Sequence, residues 1–198
     1  MRKAPRQQRS RSTVASIVEA GARVLAQRGW AGFTTNEVAR VAGASIGSLY
    51  QYFPDKLAIA ETILQQHLAA VLAAMPDPAR QDPSLSLDRR VDQLIDGLLT
   101  VHAGDQPLHR VMLEEVPFGP RIAAREFEQA YLRRYEALIR ATDGSCEDAA
   151  CSLAATMLSG AVEGLVHGAV RRGEAQSPSV RRDATRVVTA YLHARRNP

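Results

Sequence analysis

Residues 34–53 read TTNEVARVAGASIGSLYQYF, two short helical patterns joined by a tight turn. Thr34 followed by Glu37 makes a T-x-x-E capping box, and Val38, Ala39 and Ala42 give the first helix an apolar face. Gly43 can take the left-handed conformation that ends a helix, and Ser45 is a good N-cap for the next one. At about 100° per residue, the second helix turns Leu49 and Phe53 together toward a core. Gly47, Ser48, Tyr50 and Gln51 then cover the opposite side, with Ile46 and Tyr52 on the flanks. That outward face carries no acidic side chain, which suits contact with phosphates and base edges. Helix, three-residue turn with Gly, helix is the pattern of the DNA-binding helix-turn-helix.

The flanks extend the pattern. Residues 32–39, GFTTNEVA, and 42–56, AGASIGSLYQYFPDK, resemble the TetR/AcrR family of bacterial transcriptional regulators. The likeness runs without a gap from about Ser12 through Leu57. It implies an N-terminal three-helix DNA-binding domain and a C-terminal helical domain that dimerises and binds an inducer. Carried over by position, Thr34 and Thr35 would touch phosphate, and Asn36 would reach a base or phosphate. Gly47, Ser48, Tyr50 and Tyr52 would contact the operator, and Lys56 would grip the backbone. Ser45 and Gln51 complete the candidate set. Ile46 departs from the family's frequent Lys or polar residue, so that contact would become apolar, as to a thymine methyl.

Charge is unevenly spread. Residues 1–56 hold nine Lys or Arg against three acidic residues, net +6, and the remainder 16 against 18, net −2, which recovers the total of +4. The basic field thus falls on the helix-turn-helix half. The arm 1–11 is either a solvated tail or a segment that gains contacts on DNA. No run of 18 apolar residues occurs, and the basic N-terminus lacks the apolar core of a signal peptide; a cytoplasmic protein outside the membrane is expected. Cys146 and Cys151, five apart on an expected helix, should point apart as reduced thiols.

The rest reads as further helices, giving an all-α fold of about nine. Val14, Ile17, Val18, Val24 and Leu25 stripe a first helix over 12–28 that Gly29 ends, and Trp30 and Phe33 plug a small core. Asp55 starts a long fourth helix, and MPDPARQDPS (75–84) is a linker. Helices follow over about 86–102, 106–116 and 121–142, with Asp105 capping the middle one and Pro107 at its first position. Two more span about 147–172 and 178–195. The domain reading is an arm over 1–11, a helix-turn-helix domain over 12–56, and a ligand-binding and dimerisation domain over 57–198.

No enzyme is expected. Glu163 and His167 lie four apart as a metal pair could, but H-E-x-x-H is absent, as are a phosphate loop and a G-x-S-x-G elbow. No metal or cofactor is expected. The partners read from the sequence are an operator duplex, a small-molecule inducer and a second copy of the chain. The function read is a dimeric, ligand-responsive regulator that represses from a palindromic operator and is released by a small apolar or aromatic inducer. The competing readings are a DNA-binding dimer with no small-molecule sensing and, more weakly, a small-molecule carrier whose DNA-binding face has decayed. The helix over 147–172 is apolar on more than one face, which predicts burial on more than one side. Leu158, Gly160, Gly164, Leu165 and Gly168, with Val188 and Tyr191 of the last helix, are the expected dimer interface. His67, His102 and Glu115 interrupt apolar stripes, and with Met112, Phe118, Phe127, Tyr131 and Met157 they form the expected pocket.

Overall fold

The computed structural model describes residues 8–77, 81–82, 84–118 and 122–196. Among the described residues there are nine α-helices and no strand: α1 (Gln8–Gly32), α2 (Thr35–Ala42), α3 (Ile46–Tyr52), α4 (Lys56–Ala74), α5 (Leu87–Gly104), α6 (Gln106–Glu114), α7 (Ile122–Thr142), α8 (Asp148–Arg171) and α9 (Pro178–Arg196). They form two compact units. Residues 1–68 and 107–120 make one, and 69–106 and 121–198 the other. Packing therefore groups the chain otherwise than a linear cut after residue 56 does. The short α6, from mid-chain, belongs with the helix-turn-helix, and α4 begins in the first unit and finishes in the second.

Helix α1 starts at Gln8, inside what reads as a basic arm, while Arg2, Lys3 and Arg6 lie outside the described residues. Its far end is broken where expected: Gly29 has φ 64° and ψ −178°, so regular helix stops there and a last turn follows. The caps read from sequence form. Thr34 Oγ1 accepts the Glu37 N–H at 3.2 Å, and Ser45 Oγ accepts the Ser48 N–H at 3.1 Å. Gly43 is left-handed (φ 64°, ψ 25°), which lets the Ala44 N–H reach back to the Ala39 carbonyl at 3.0 Å. Asp55 caps α4 by accepting the Ala58 N–H at 2.8 Å.

The first unit closes around Ile17, Leu25, Phe33, Val38, Leu49, Phe53 and Ile59, to which α6 adds Leu108, Val111 and Met112. A side chain at Gly21 would put its Cβ 2.8 Å from Ile59 Cγ2, so α1 and α4 pack at glycine distance. Trp30 stands 5.8 Å from Phe33, ring to ring, and is packed on the same cluster.

The second unit has its own core. Val91, Leu94, Ile95, Leu98 and Leu99 line one face of α5 at helical spacing and meet Tyr131, Tyr135 and Ile139 of α7. Helix α8 adds Ala154, Leu158, Val162 and Val166, and α9 adds Ala184, Val188 and Leu192. Helices α4 and α8 are long and apolar enough to cross a membrane by composition alone, with mean hydropathies of 1.4 and 1.5. Both instead supply core residues, as the interior helices of a globular protein do.

The expected burial of α8 on several sides does not occur within one chain. Leu153, Met157 and Leu165 are 64, 62 and 38% exposed, because α5, α7 and α9 cover only its opposite face.

Candidate nucleic-acid interface and ligand site

In α3, Leu49 and Phe53 are fully buried, and this fixes which residues face outward. Gly47, Tyr50 and Gln51 are exposed with Ser45 and Ile46, Ser48 and Tyr52 are half-buried, and Thr34 and Asn36 are exposed on the α2 side. A hydroxyl link joins the two helices, with Thr35 Oγ1 and Tyr50 Oη 3.0 Å apart. Ser45 Oγ is also 2.8 Å from Ser48 Oγ, so the cap serine holds the first outward side chain of α3. Several of these hydroxyls are thus committed to local structure, yet each retains capacity for another hydrogen bond.

The cations are more engaged than their number suggests. Glu37 pairs with Arg40 at 2.7 Å and with Arg28 at 2.9 Å. The Arg40 hydrogen bond, followed by the charge of Arg28, holds its carboxyl below the ordinary range. Lys56 Nζ donates to the Trp30 carbonyl at 2.9 Å and lies 4.0 Å from the Trp30 ring centroid. It is therefore positioned by the turn after α1, with further N–H donors to offer.

Glu115 has a different place from the one expected. It is exposed, and its Oε2 accepts the Trp30 N–H at 2.8 Å inside the first unit. The left-handed Gly29 aims that N–H, and a Cβ there would lie 2.6 Å from Glu115 Oε2. So Glu115 ties the end of α6 to the turn after α1, and it is not a polar anchor among apolar walls. Met112 is buried in the first unit's core, Phe118 is packed on its edge, and His67 stacks at a tilt on His109, ring centroids 4.9 Å apart. Of the eight expected pocket residues, four thus belong to the first unit and four (His102, Phe127, Tyr131, Met157) to the second.

Within the second unit a continuous run of polar and aromatic groups crosses the interior. Phe127 stacks on Tyr131 at 5.2 Å, and Tyr131 meets Tyr135 edge-on at 5.1 Å with the two phenol oxygens 3.1 Å apart. Burial, then the Glu163 charge, raises the Tyr131 phenol above its ordinary range, and burial raises Tyr135 further. Burial and then Glu128 push the Glu163 carboxyl up. His167, one turn along from Glu163, lies 5.4 Å from the buried His102 ring. Burial first, then His102 and Arg171, bring His167 down to about 4. His102 Nδ1 donates to the Leu98 carbonyl at 2.7 Å, a helix-end satisfaction of its own. The sequence reading missed Tyr135 as a site residue, although Phe127, Tyr131 and Tyr135 recur every four residues on one helical face. Met157 is 62% exposed on the opposite side of α8 and lines no interior wall.

The expected interface residues also separate. Leu158 and Val188 are 3 and 0% exposed and belong to the chain's own core, since the inward stripes of α8 and α9 meet there. Gly168 is buried under Arg172. Gly160, Gly164 and Leu165 remain exposed, Tyr191 is half-buried, and Val187, 50% exposed, was missed.

Residues 17–63 match the family described as bacterial regulatory proteins, tetR family, and residues 86–192 match the tetracyclin repressor-like C-terminal domain. The second match alone covers more than half of the chain, and the protein belongs to the TetR family of transcriptional regulators, which join a DNA-binding helix-turn-helix to a ligand-binding helical domain. Solved relatives share the fold. A TetR-family regulator from Rhodococcus RHA1 is 24% identical, with 91% of this chain and 95% of that one covered and a TM-score of 0.67. FadR of Bacillus subtilis, in complex with stearoyl-CoA, is 19% identical over 90% and 97%, with a TM-score of 0.70. SmeT, in complex with triclosan, is 21% identical over 92% and 90%, with a TM-score of 0.62. No curated protein sequence matches the chain.

Proposed function

We propose that this regulator is a cytoplasmic, two-fold dimeric repressor that grips a palindromic operator through α2, α3 and the start of α4, and releases it on binding a small apolar or aromatic inducer. The observation that carries the reading is the outward face of α3, which exposes Gly47, Tyr50 and Gln51 and no carboxylate over a fully buried Leu49 and Phe53. Tyr50, braced by Thr35, presents a fixed hydroxyl, and Lys56 a fixed ammonium. The uncovered apolar strip of α8 (Leu153, Met157, Gly160, Gly164, Leu165) supports a second copy as partner. The run Phe127–Tyr131–Tyr135, with Glu163 and the two histidines, supports an apolar or aromatic ligand with a few polar anchors. The ligands of FadR and SmeT, an acyl-CoA and a chlorinated diphenyl ether, are of that chemical kind. Induction requires tighter ligand binding by the DNA-incompetent state.

The test begins with a duplex enriched by the full chain from a random-sequence pool. Its best sequence is expected to be palindromic, with half-sites about 34 Å or a multiple apart. Tyr50→Ala with Gln51→Ala is expected to weaken binding about tenfold or more and to relax sequence preference, and Lys56→Ala to lower the salt slope. Unchanged affinity, preference and salt slope in all three variants would overturn the assignment.

A further inference from the structure

Cys146 and Cys151 are brought together by the fold. Cys146 is not on α8, which begins at Asp148; it lies in the preceding turn, so the helical spacing that would point the thiols apart does not apply. That turn is held from both sides. Asp143 Oδ1 accepts the Ser145 N–H and hydroxyl at 3.1 and 2.7 Å, and the Cys146 N–H donates to the Asp143 carbonyl at 3.2 Å. Arg140 donates to the Cys146 carbonyl at 3.3 Å and to Asp148 at 2.7 Å. The chain is thereby curled so that the two thiols interact directly. Cys151 is fully buried in the second unit's core, its thiol donating to the Glu136 carbonyl at 3.7 Å, whereas Cys146 is half-buried at the edge. From the last turn of α9, Arg195 Nη2 donates to Cys146 Sγ at 3.5 Å. Arg195 Nε is buried and has no hydrogen-bond partner among the described residues.

We propose that Cys146 and Cys151 are a peroxide-oxidisable dithiol, in which Cys146 attacks and Cys151 resolves to an intramolecular disulfide. The oxidant is a hydroperoxide. Cys146 sulfur, as thiolate, bonds to one peroxide oxygen while the O–O bond breaks. The departing oxygen takes a proton and leaves as water or alcohol, so the sulfur is oxidised to sulfenic acid and the peroxide reduced. Arg195 is placed beside the attacking sulfur, where its guanidinium meets the negative charge developing on the departing oxygen, and its unused Nε–H is a donor for the sulfenic oxygen. Cys151 sulfur then bonds to Cys146 sulfur, the S–O bond breaks, and hydroxide departs with the Cys151 proton as water. Two thiols and one hydroperoxide give one disulfide, one water from the resolution step and the reduced peroxide. The division of roles follows from position. The half-buried thiol meets the small oxidant first. Burial, then the Cys146 thiol beside it, raises the Cys151 thiol, which keeps its proton until the second step.

The test uses the full chain with hydrogen peroxide as probe, followed by denaturation and alkylation with a maleimide. The expected result is loss of both alkylations at low peroxide excess, an intact mass lower by two hydrogens, monomeric migration on a non-reducing gel and full recovery with dithiothreitol. Cys151→Ser is expected to trap a sulfenic acid on Cys146 that dimedone labels, and Cys146→Ser to leave Cys151 alkylatable. Arg195→Leu, judged against an unchanged circular dichroism spectrum, is expected to slow the loss about tenfold or more, the order of one lost charge contact to a developing anion. Both thiols remaining alkylatable, Cys151 reacting equally fast in Cys146→Ser, or disulfides forming only between chains would each overturn the proposal.

Discussion

The two units handle polar groups in opposite ways. The first puts its polar groups outside, on α2 and α3, and fixes them with local hydrogen bonds at a spacing of three residues. The second draws phenols and imidazoles into its interior along Tyr131, Tyr135, His102 and His167, and leaves Leu153, Met157, Leu165 and Val187 outside. An outward uncharged polar surface beside cations suits a wet, polyanionic partner. An outward apolar surface suits a dry one, and an inward polar run suits a ligand that must be desolvated to bind. The contrast teaches that exposure alone does not mark function here; it is exposure of the kind of side chain that the local partner requires.

The sharpest way to break the contrast is Gly164→Leu. The position is open, with nothing within 4 Å of an added Cβ, so one chain accommodates the larger side chain, and helix propensity favours Leu by about 0.8–1 kcal/mol. Expected are an intact helical spectrum, monomers in sedimentation velocity and loss of high-affinity operator binding. A dimer that still binds would assign the apolar strip to another purpose.

Truncating the inward run tests the other side. Tyr135 is fully buried, so Tyr135→Ala is expected to cost about 3–5 kcal/mol in denaturant unfolding. Tyr135→Phe keeps the volume and removes only the hydroxyl partner of Tyr131, for about 1 kcal/mol. Near-equal losses would show that the hydroxyl pair, and not packing, dominates the seam.

The smallest effect expected is in pH. His167 falls from its ordinary 6.5 to about 4 in the folded chain, so the unfolded chain binds the proton first as pH drops. The stability it contributes is complete above 6.5 and is lost as pH falls through about 4. Glu163 works against it: raised above its ordinary 4.5, its carboxyl takes up a proton more readily when folded. Urea midpoints between pH 7 and 4 are expected to fall, and His167→Gln to flatten the fall. An unchanged slope in that variant would remove His167 as the cause.

The helix-turn-helix was legible because each of its signals is local. Thr34 and Glu37, Gly43, and Ser45 lie within a few residues of what they bond, and the positions of Leu49 and Phe53 follow from helical period alone. The stripe of α5 was legible for the same reason. Glu115 was misread because its partner, the Trp30 N–H, is 85 residues away, and a carboxylate in an apolar stripe looks alike whether it anchors a ligand or ties a turn. Met157 and Leu158 are neighbours, one exposed and one in the core. On a helix with apolar residues on several sides, period does not say which side its own chain will cover.

The sequence by itself determined the all-helical class, the caps and breaks of the first helices, the outward face of α3 and membership of the TetR family, since all of these rest on short spacings and residue types. Tertiary structure alone decided that α6 joins the helix-turn-helix unit, that Glu115 binds Trp30, that Tyr135 completes the buried run, and that Cys146 curls back onto Cys151. The reason is physical. Such contacts depend on which distant surfaces exclude water together, and sequence separation carries no information about that until the chain has packed.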